Sequence, residues 1–142
     1  PLKRILDGVL MRAQQKPVFL KLAPDLSDSA LEEAVELAIS IGTSGIIATN
    51  TTITRPQGTA VLGESGGLSG APLAPLAKSK IKTVLTIAAG RVPVIAVGGI
   101  HRAEQVAELL ALGASAVQIY SALIYEGPML PAKIHRALSK NA

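Results

Sequence analysis

Strand and helix patterns alternate along these 142 residues, which predicts an α/β fold. The reading is the C-terminal four βα units of a (β/α)8 TIM barrel, with residues 1–142 forming a single domain. Three observations lead there. Short apolar runs, of the kind buried on both faces of a parallel sheet, alternate with segments whose apolar residues recur at helical spacing. Each run carries its unusual residues at its C-terminal end: Lys21, then Thr49-Asn50-Thr51, then Gly98-Gly99, then Tyr120-Ser121. A barrel builds its site from the C-terminal ends of several strands at once, whereas an open doubly wound sheet concentrates it at one switch point behind a Gly-rich turn. No G-x-G-x-x-G occurs in the sequence.

Leu2, Ile5, Leu6, Val9 and Leu10 predict a first amphipathic helix. A chain that opens inside such a helix reads as a piece of something longer, a trimmed terminus being the alternative. Val18-Phe-Leu-Lys-Leu-Ala23, ended by Pro24, is the first strand. Ser29 and Glu32 have capping-box spacing within a cap-rich Asp25–Ser29 stretch. Ala30, Leu31, Ala34, Val35, Ala38 and Ile41 mark the following helix, and Gly42 its stop. Gly45 to Asn50 is the second strand, and a polar, Gly-rich stretch runs from Thr51 to Gly70. Pro72 suits the first turn of a helix whose face is Leu73, Leu76, Ala77, Ile81, Val84 and Leu85, with Gly90 as its stop. Val92 to Val97 is the third strand, followed by a helix from Ala103 to Leu112 with Val106, Leu109 and Leu110 inward. Gly113 ends it, Ala116 to Tyr120 is the fourth strand, and Pro128 to Leu138 the last helix.

Composition narrows the function classes. The net charge is +4 and the pI near 9.6, but the Lys and Arg residues are scattered. Only Phe19, Tyr120 and Tyr125 are aromatic, so a basic patch with stacking rings is absent and nucleic acid is not expected as a partner. Without cysteine there is no disulfide framework, thiolate zinc site or cysteine-held iron–sulfur cluster. No His/Asp/Glu cluster has metal-ligand spacing, so no metal is expected. No apolar run approaches the ~18 residues of a spanning helix, and the expectation for the chain itself is a soluble protein.

The strand ends carry the chemistry. A lysine inside an apolar strand is either half of an ion pair, with Asp25 as partner, or a cation held toward an anion or an electron-rich ring. Thr49-Asn50-Thr51-Thr52 sets three hydroxyls and an amide in a row, which suits a carboxylate or imide edge and equally suits a strand-exit turn. Gly66-Gly-Leu-Ser-Gly70 before Pro72 resembles a backbone cradle leading to a helix N-terminus, an anion site, while Gly98-Gly99 and Tyr120-Ser121, if they follow barrel strands seven and eight, sit where the fold commonly holds phosphate. His101 and His135 read as solvated.

Six segments together resemble the dihydroorotate dehydrogenase family: Lys21-Leu-Ala-Pro-Asp25, Ala48-Thr-Asn-Thr-Thr52, Gly66-Gly-Leu-Ser-Gly-Ala-Pro72, Val97-Gly-Gly-Ile100, Gly113-Ala-Ser-Ala-Val-Gln-Ile-Tyr-Ser121 and Gly127-Pro128. The Thr-Asn-Thr-Thr and Tyr-Ser-Ala-Leu forms resemble its quinone-linked, membrane-associated class 2. The resemblance implies an FMN-binding barrel that oxidises dihydroorotate to orotate in pyrimidine synthesis, with a quinone as final acceptor. It further implies peripheral attachment to a bacterial cytoplasmic or mitochondrial inner membrane through a part of the protein outside these residues. Carried over by position, Lys21 resembles the lysine beside the flavin pyrimidine ring. Thr49, Gly70, Gly99, Tyr120 and Ser121 resemble further FMN contacts, the last three gripping the phosphate. Asn50 and Thr51 resemble the pair that binds orotate. His101-Arg102 and Met129 depart from the family's usual residues. The base that takes the substrate proton, a serine in class 2 and a cysteine in class 1, is expected upstream of Pro1, so these residues alone should be catalytically silent.

Two other readings compete. One is a flavin-free, phosphate-binding barrel isomerase or aldolase using Lys21 as base or Schiff-base nucleophile. The other is a non-catalytic fragment whose open sheet edges demand a covering partner.

Overall fold

The computed structural model of the chain describes residues 1–55 and 65–140. Residues 56–64 of the polar stretch expected between the second strand and the third helix lie outside them. Helix α1 (Leu2–Ala13) leads into strand β1 (Phe19–Leu22), then α2 (Asp28–Ser40), β2 (Gly45–Ala48), a 3₁₀ turn (Ala71–Leu73) running into α3 (Ala74–Ala88), β3 (Val94–Val97), α4 (Ala103–Ala111), β4 (Ala116–Gln118), α5 (Ser121–Glu126) and α6 (Leu130–Lys140).

The four strands pair in parallel, in the order of the sequence, β1-β2-β3-β4. Register follows the two-residue period of the side chains. Leu22, Ile46, Ala48, Val94 and Ala96 are buried on one face. They pack there against Leu31, Val35 and Ala38 of α2, Ala77, Ile81 and Val84 of α3, and Val106 and Leu109 of α4. The other face presents Phe19, Lys21, Ile47, Ile95, Val97, Ala116 and Gln118, all but the isoleucines and Val97 exposed. Among the described residues the helices lie against one face, and strand order is sequential. That is the arrangement of consecutive units of a β/α barrel, whose helices form an outer ring, and not of a doubly wound sheet with helices on both sides.

Several local expectations are corrected. Ser27, not Ser29, caps α2: its backbone is extended and its hydroxyl accepts from the Ala30 amide at 3.2 Å. Ser29 is already helical, and the residue at the box position is Ala30, so Glu32 closes no capping box. Leu110 is 42% exposed rather than inward, because Val106 and Leu109 alone fill the narrow contact that α4 makes. Ile5 and Val9 of α1 are 60% and 43% exposed, and Leu6 is the buried residue of that helix. Tyr120-Ser121 does not extend the fourth strand. The chain turns there into α5, a short helix that the sequence pattern did not suggest, and the last helix starts at Leu130.

Candidate functional site

The C-terminal ends of all four strands open into one cavity of about 850 Å³. Lys21 reaches it from β1, Asn50 and Thr51 from the exit of β2, Gly99 from the exit of β3, and Tyr120 and Ser121 from the start of α5, while Gly70 comes from the segment before α3. Seven of the eight residues singled out in the sequence therefore share one wall-lined space. The eighth, Thr49, stands behind the wall: it is 3% exposed and its hydroxyl donates to the Asn50 carbonyl at 3.0 Å.

Backbone hydrogen bonds fix the β2 exit from both sides. The Thr49 amide donates to the Val97 carbonyl at 2.8 Å, and the Asn50 amide to the Leu22 carbonyl at 2.7 Å. The Thr49-Asn50 pair is thus tied to the ends of both neighbouring strands, Thr49 to β3 and Asn50 to β1. Its Oδ1 accepts from the Thr51 amide at 2.9 Å, a local turn bond that leaves the side-chain NH₂ and one lone pair for a ligand.

Asp25 does not pair with Lys21, the ion pair weighed above. Its carboxylate accepts from the hydroxyls of Thr52 and Thr54 and from the Ile53 amide, the last at 3.2 Å. Thr52, 1% exposed, also bridges to Leu68, so both limbs of the Thr51–Gly70 excursion are tied at its base. Arg55 adds bonds to the carbonyls of Thr52, Ile53 and Gly66. Lys21 makes no ion pair among the described residues; it is exposed and lines the cavity from the sheet face not covered by helices.

Desolvation pushes the Asp25 carboxyl upward, but the bonds from Thr52, Thr54 and the Ile53 amide outweigh it and hold the group below its ordinary value of 3.8. A depressed folded-state value means that the carboxylate stabilises the loop fully above 3.8 and loses that effect as pH falls through the lower folded value. Replacing Asp25 with Asn should therefore destabilise the protein by a constant amount from neutral pH down to about pH 5, the difference from wild type shrinking only below about pH 4. Urea melts of both proteins across that range check it. A difference that already fades near pH 6 would assign the effect to another group.

The end of the cavity at Gly70, Gly99 and Ser121 is built from close backbone approaches. A Cβ on Gly99 would stand 2.7 Å from the Gly70 carbonyl oxygen and 2.8 Å from the Ala74 Cα, so the loop after β3 seats directly on the turn that starts α3. A Cβ on Gly67 would overlap the Thr51 side chain. Ser69 and Ser121 share a hydrogen bond between their hydroxyls at 2.9 Å, which joins the two segments across this end of the cavity.

Among the lining residues not expected from the sequence, Gln118, Ser69 and His101 bear on the chemistry. Gln118 is the polar, inward member of the apolar run Ala116–Tyr120, opposite Val97 in register, and that break in the apolar pattern was its signal. Ser69 was visible only as part of a Gly-rich motif. His101, read as solvated, is half-buried and lines the cavity, with Nδ1 bonded to the Gly99 carbonyl at 3.0 Å. His135 is exposed, as expected.

A family model described as Dihydroorotate dehydrogenase matches residues 1–141. Among curated proteins, the chain is similar to the dihydroorotate dehydrogenase (quinone) of Chloroflexus aurantiacus, 45% identical over 127 residues that make up 87% of this chain and 35% of that one. The protein of the same description from Sphingopyxis alaskensis is 45% identical over 141 residues, 96% of this chain and 40% of its own. Two crystal structures of DHODH from Eimeria tenella superpose well. The ligand-free form has a TM-score of 0.79 at 36% identity, covering 84% of this chain and 34% of that one. The complex with ferulenol has a TM-score of 0.81 at 35% identity, covering 86% and 33%. The chain thus spans between a third and two fifths of the length of these proteins.

Proposed function

The chain belongs to the dihydroorotate dehydrogenase family, and on that premise we propose that its 142 residues are one domain, the C-terminal half of an FMN-binding barrel that oxidises dihydroorotate to orotate and passes the electrons to a quinone. The observation that carries the reading is the single cavity at the strand ends, which joins a cation, an amide–hydroxyl pair and a backbone cradle with serines. The cradle suits a phosphate monoester: Gly99 seats directly on the Gly70 and Ala74 backbone, which fixes the loop after β3 beside the turn that starts α3, and the hydroxyls of Ser69 and Ser121 lie at the same end. Lys21 supplies the positive charge that an electron-rich ring needs beside it. FMN, when bound, accepts the hydride that leaves the substrate.

This chain's own residues have divided tasks. Gly70, Gly99, Tyr120 and Ser121 would anchor the cofactor at its phosphate end. Thr49 acts from behind, fixing Asn50 through its carbonyl. Asn50 and Thr51 would orient the substrate, and the spare NH₂ of Asn50 is a donor suited to a carboxylate or an imide carbonyl. The proton-abstracting base, the quinone site and any membrane contact belong in this proposal to parts of the protein outside these residues. No helix among the described residues is long and apolar enough to cross a membrane.

Purification of the complete protein with stoichiometric flavin, and dihydroorotate-dependent reduction of a quinone, test the reading. A flavin-free protein in which borohydride traps a carbonyl substrate on Lys21 would overturn it in favour of aldolase chemistry. Within the proposal, Asn50→Ala should leave flavin content unchanged and lower kcat/KM for dihydroorotate by roughly ten- to a hundred-fold, the usual cost of one lost buried polar contact. Loss of flavin with normal turnover in the remaining holoenzyme would take Asn50 out of the substrate site.

A further inference from the structure

His101 is half-buried and lines the cavity at the strand ends, between the loop after β3 and the start of α4. Its backbone amide and that of Arg102 both donate to Oε1 of Gln105, at 2.9 and 3.0 Å, which holds the start of α4 in place. Its ring is held too. Nδ1 lies 3.0 Å from the Gly99 carbonyl, and a carbonyl oxygen only accepts, so Nδ1 carries the hydrogen. Nε2 is then the one ring nitrogen left for a ligand. In the neutral ring Nε2 offers a lone pair, which repels an anion; in the imidazolium it is a charged donor.

The carbonyl that sets this tautomer belongs to Gly99, the residue whose backbone forms the cradle. Ionisable groups on the same cavity are Lys21 from β1, Tyr120 before α5, and Tyr125 and Glu126 from α5. Arg102 and Glu104 stand beside His101 at the start of α4, and Pro72 and Ala74 before and within α3 bring no charge. Resting on the phosphate reading of this end, we propose that His101 is a protonation-linked contact for the phosphate of the cofactor, tightening its grip as the pH falls.

The sign follows from linkage. A dianion is held better by the charged ring than by the neutral one, so binding takes up a proton and affinity increases as the pH drops. A pKa difference of one unit between free and bound forms corresponds to a tenfold change in affinity. The test uses the apo form of the complete protein, titrated with FMN and with riboflavin by flavin fluorescence between about pH 5.5 and pH 8.5. FMN affinity of the wild type should rise by about tenfold more toward low pH than that of His101→Ala, in which only the titration of the phosphate itself remains. Riboflavin affinity should show no such difference. Parallel FMN profiles in the two proteins overturn the proposal while leaving the phosphate site standing. Equal affinity for FMN and riboflavin at every pH overturns the phosphate reading itself. Should the variant fold poorly, NMR titration of the wild-type His101 ring with and without FMN decides: a value raised by FMN supports the contact, and an unchanged one removes it.

Discussion

On the proposed function, Gly99→Ala should strip the complete protein of most of its flavin and destabilise it by about 2–5 kcal/mol. The backbone at Gly99 has φ +68°, and a residue with a Cβ pays about 1–2 kcal/mol to stay there. The new methyl would also meet the Gly70 carbonyl oxygen and the Ala74 Cα, both backbone atoms that no rotamer change can move aside. Overpacking of this kind typically adds about 1–3 kcal/mol. Relief comes only by pushing the loop after β3 away from the turn before α3, which opens the cradle between Gly70, Gly99 and Ser121. Gly90→Ala is the control: Gly90 has a similar φ of +75° but nothing within 4 Å of a built Cβ. It should show the conformational cost alone and keep its flavin. Denaturation curves and flavin-to-protein ratios on both variants separate strain from collision. Equal destabilisation of the two, with flavin intact, would mean that the Gly70–Gly99 contact yields easily.

On the same proposal, Lys21→Ala should slow reduction of the bound flavin by dihydroorotate about a hundred-fold while much of the flavin stays in place. The ammonium is the cation that β1 brings to the cavity, remote in sequence from the glycines and serines of the phosphate end. At an effective dielectric of about 20, unit charges about 4 Å apart interact by about 4 kcal/mol. Water entering the vacated space returns part of that, and at about 1.4 kcal/mol per tenfold a loss near two orders of magnitude remains. Stopped-flow reduction, with flavin occupancy read on the same sample, separates chemistry from binding. A fully flavinated variant reduced at the wild-type rate would make Lys21 a structural residue.

The barrel units and most of the cavity were legible in the sequence because they depend on short-range pattern. Apolar runs, glycine stops and polar strand ends each report a local backbone requirement. What escaped depended on the third dimension. Asp25 lies four residues from Lys21 and was the natural partner for it, yet Thr52 and Thr54 arrive from across the fold to take its oxygens. Ser29 satisfied the spacing of a cap, but the turn of the chain placed Ser27 at the cap instead. Helix α5 has six residues and no buried side chain, so it leaves no apolar periodicity to read. His101 looked solvated because nothing in a linear pattern reveals that the carbonyl two residues back is placed to orient its ring.

Sequential strand order has a kinetic consequence. Leu20 pairs with Ile46 and Ile95 with Ala116, so each of these strands finds its partner one unit away along the chain. Loops of that length close at small entropic cost, and each doubling of length adds only about 0.6 kcal/mol. During synthesis a newly emerged strand therefore meets an edge that has just been made, and the sheet can grow strand by strand without waiting for distant segments. The step from β2 to β3 is the slow one on this account, since Ile46 must wait for Val94 across the Thr51–Gly70 excursion. The Thr52–Leu68 bridge, which closes the base of that excursion, would shorten the effective loop wherever it forms first.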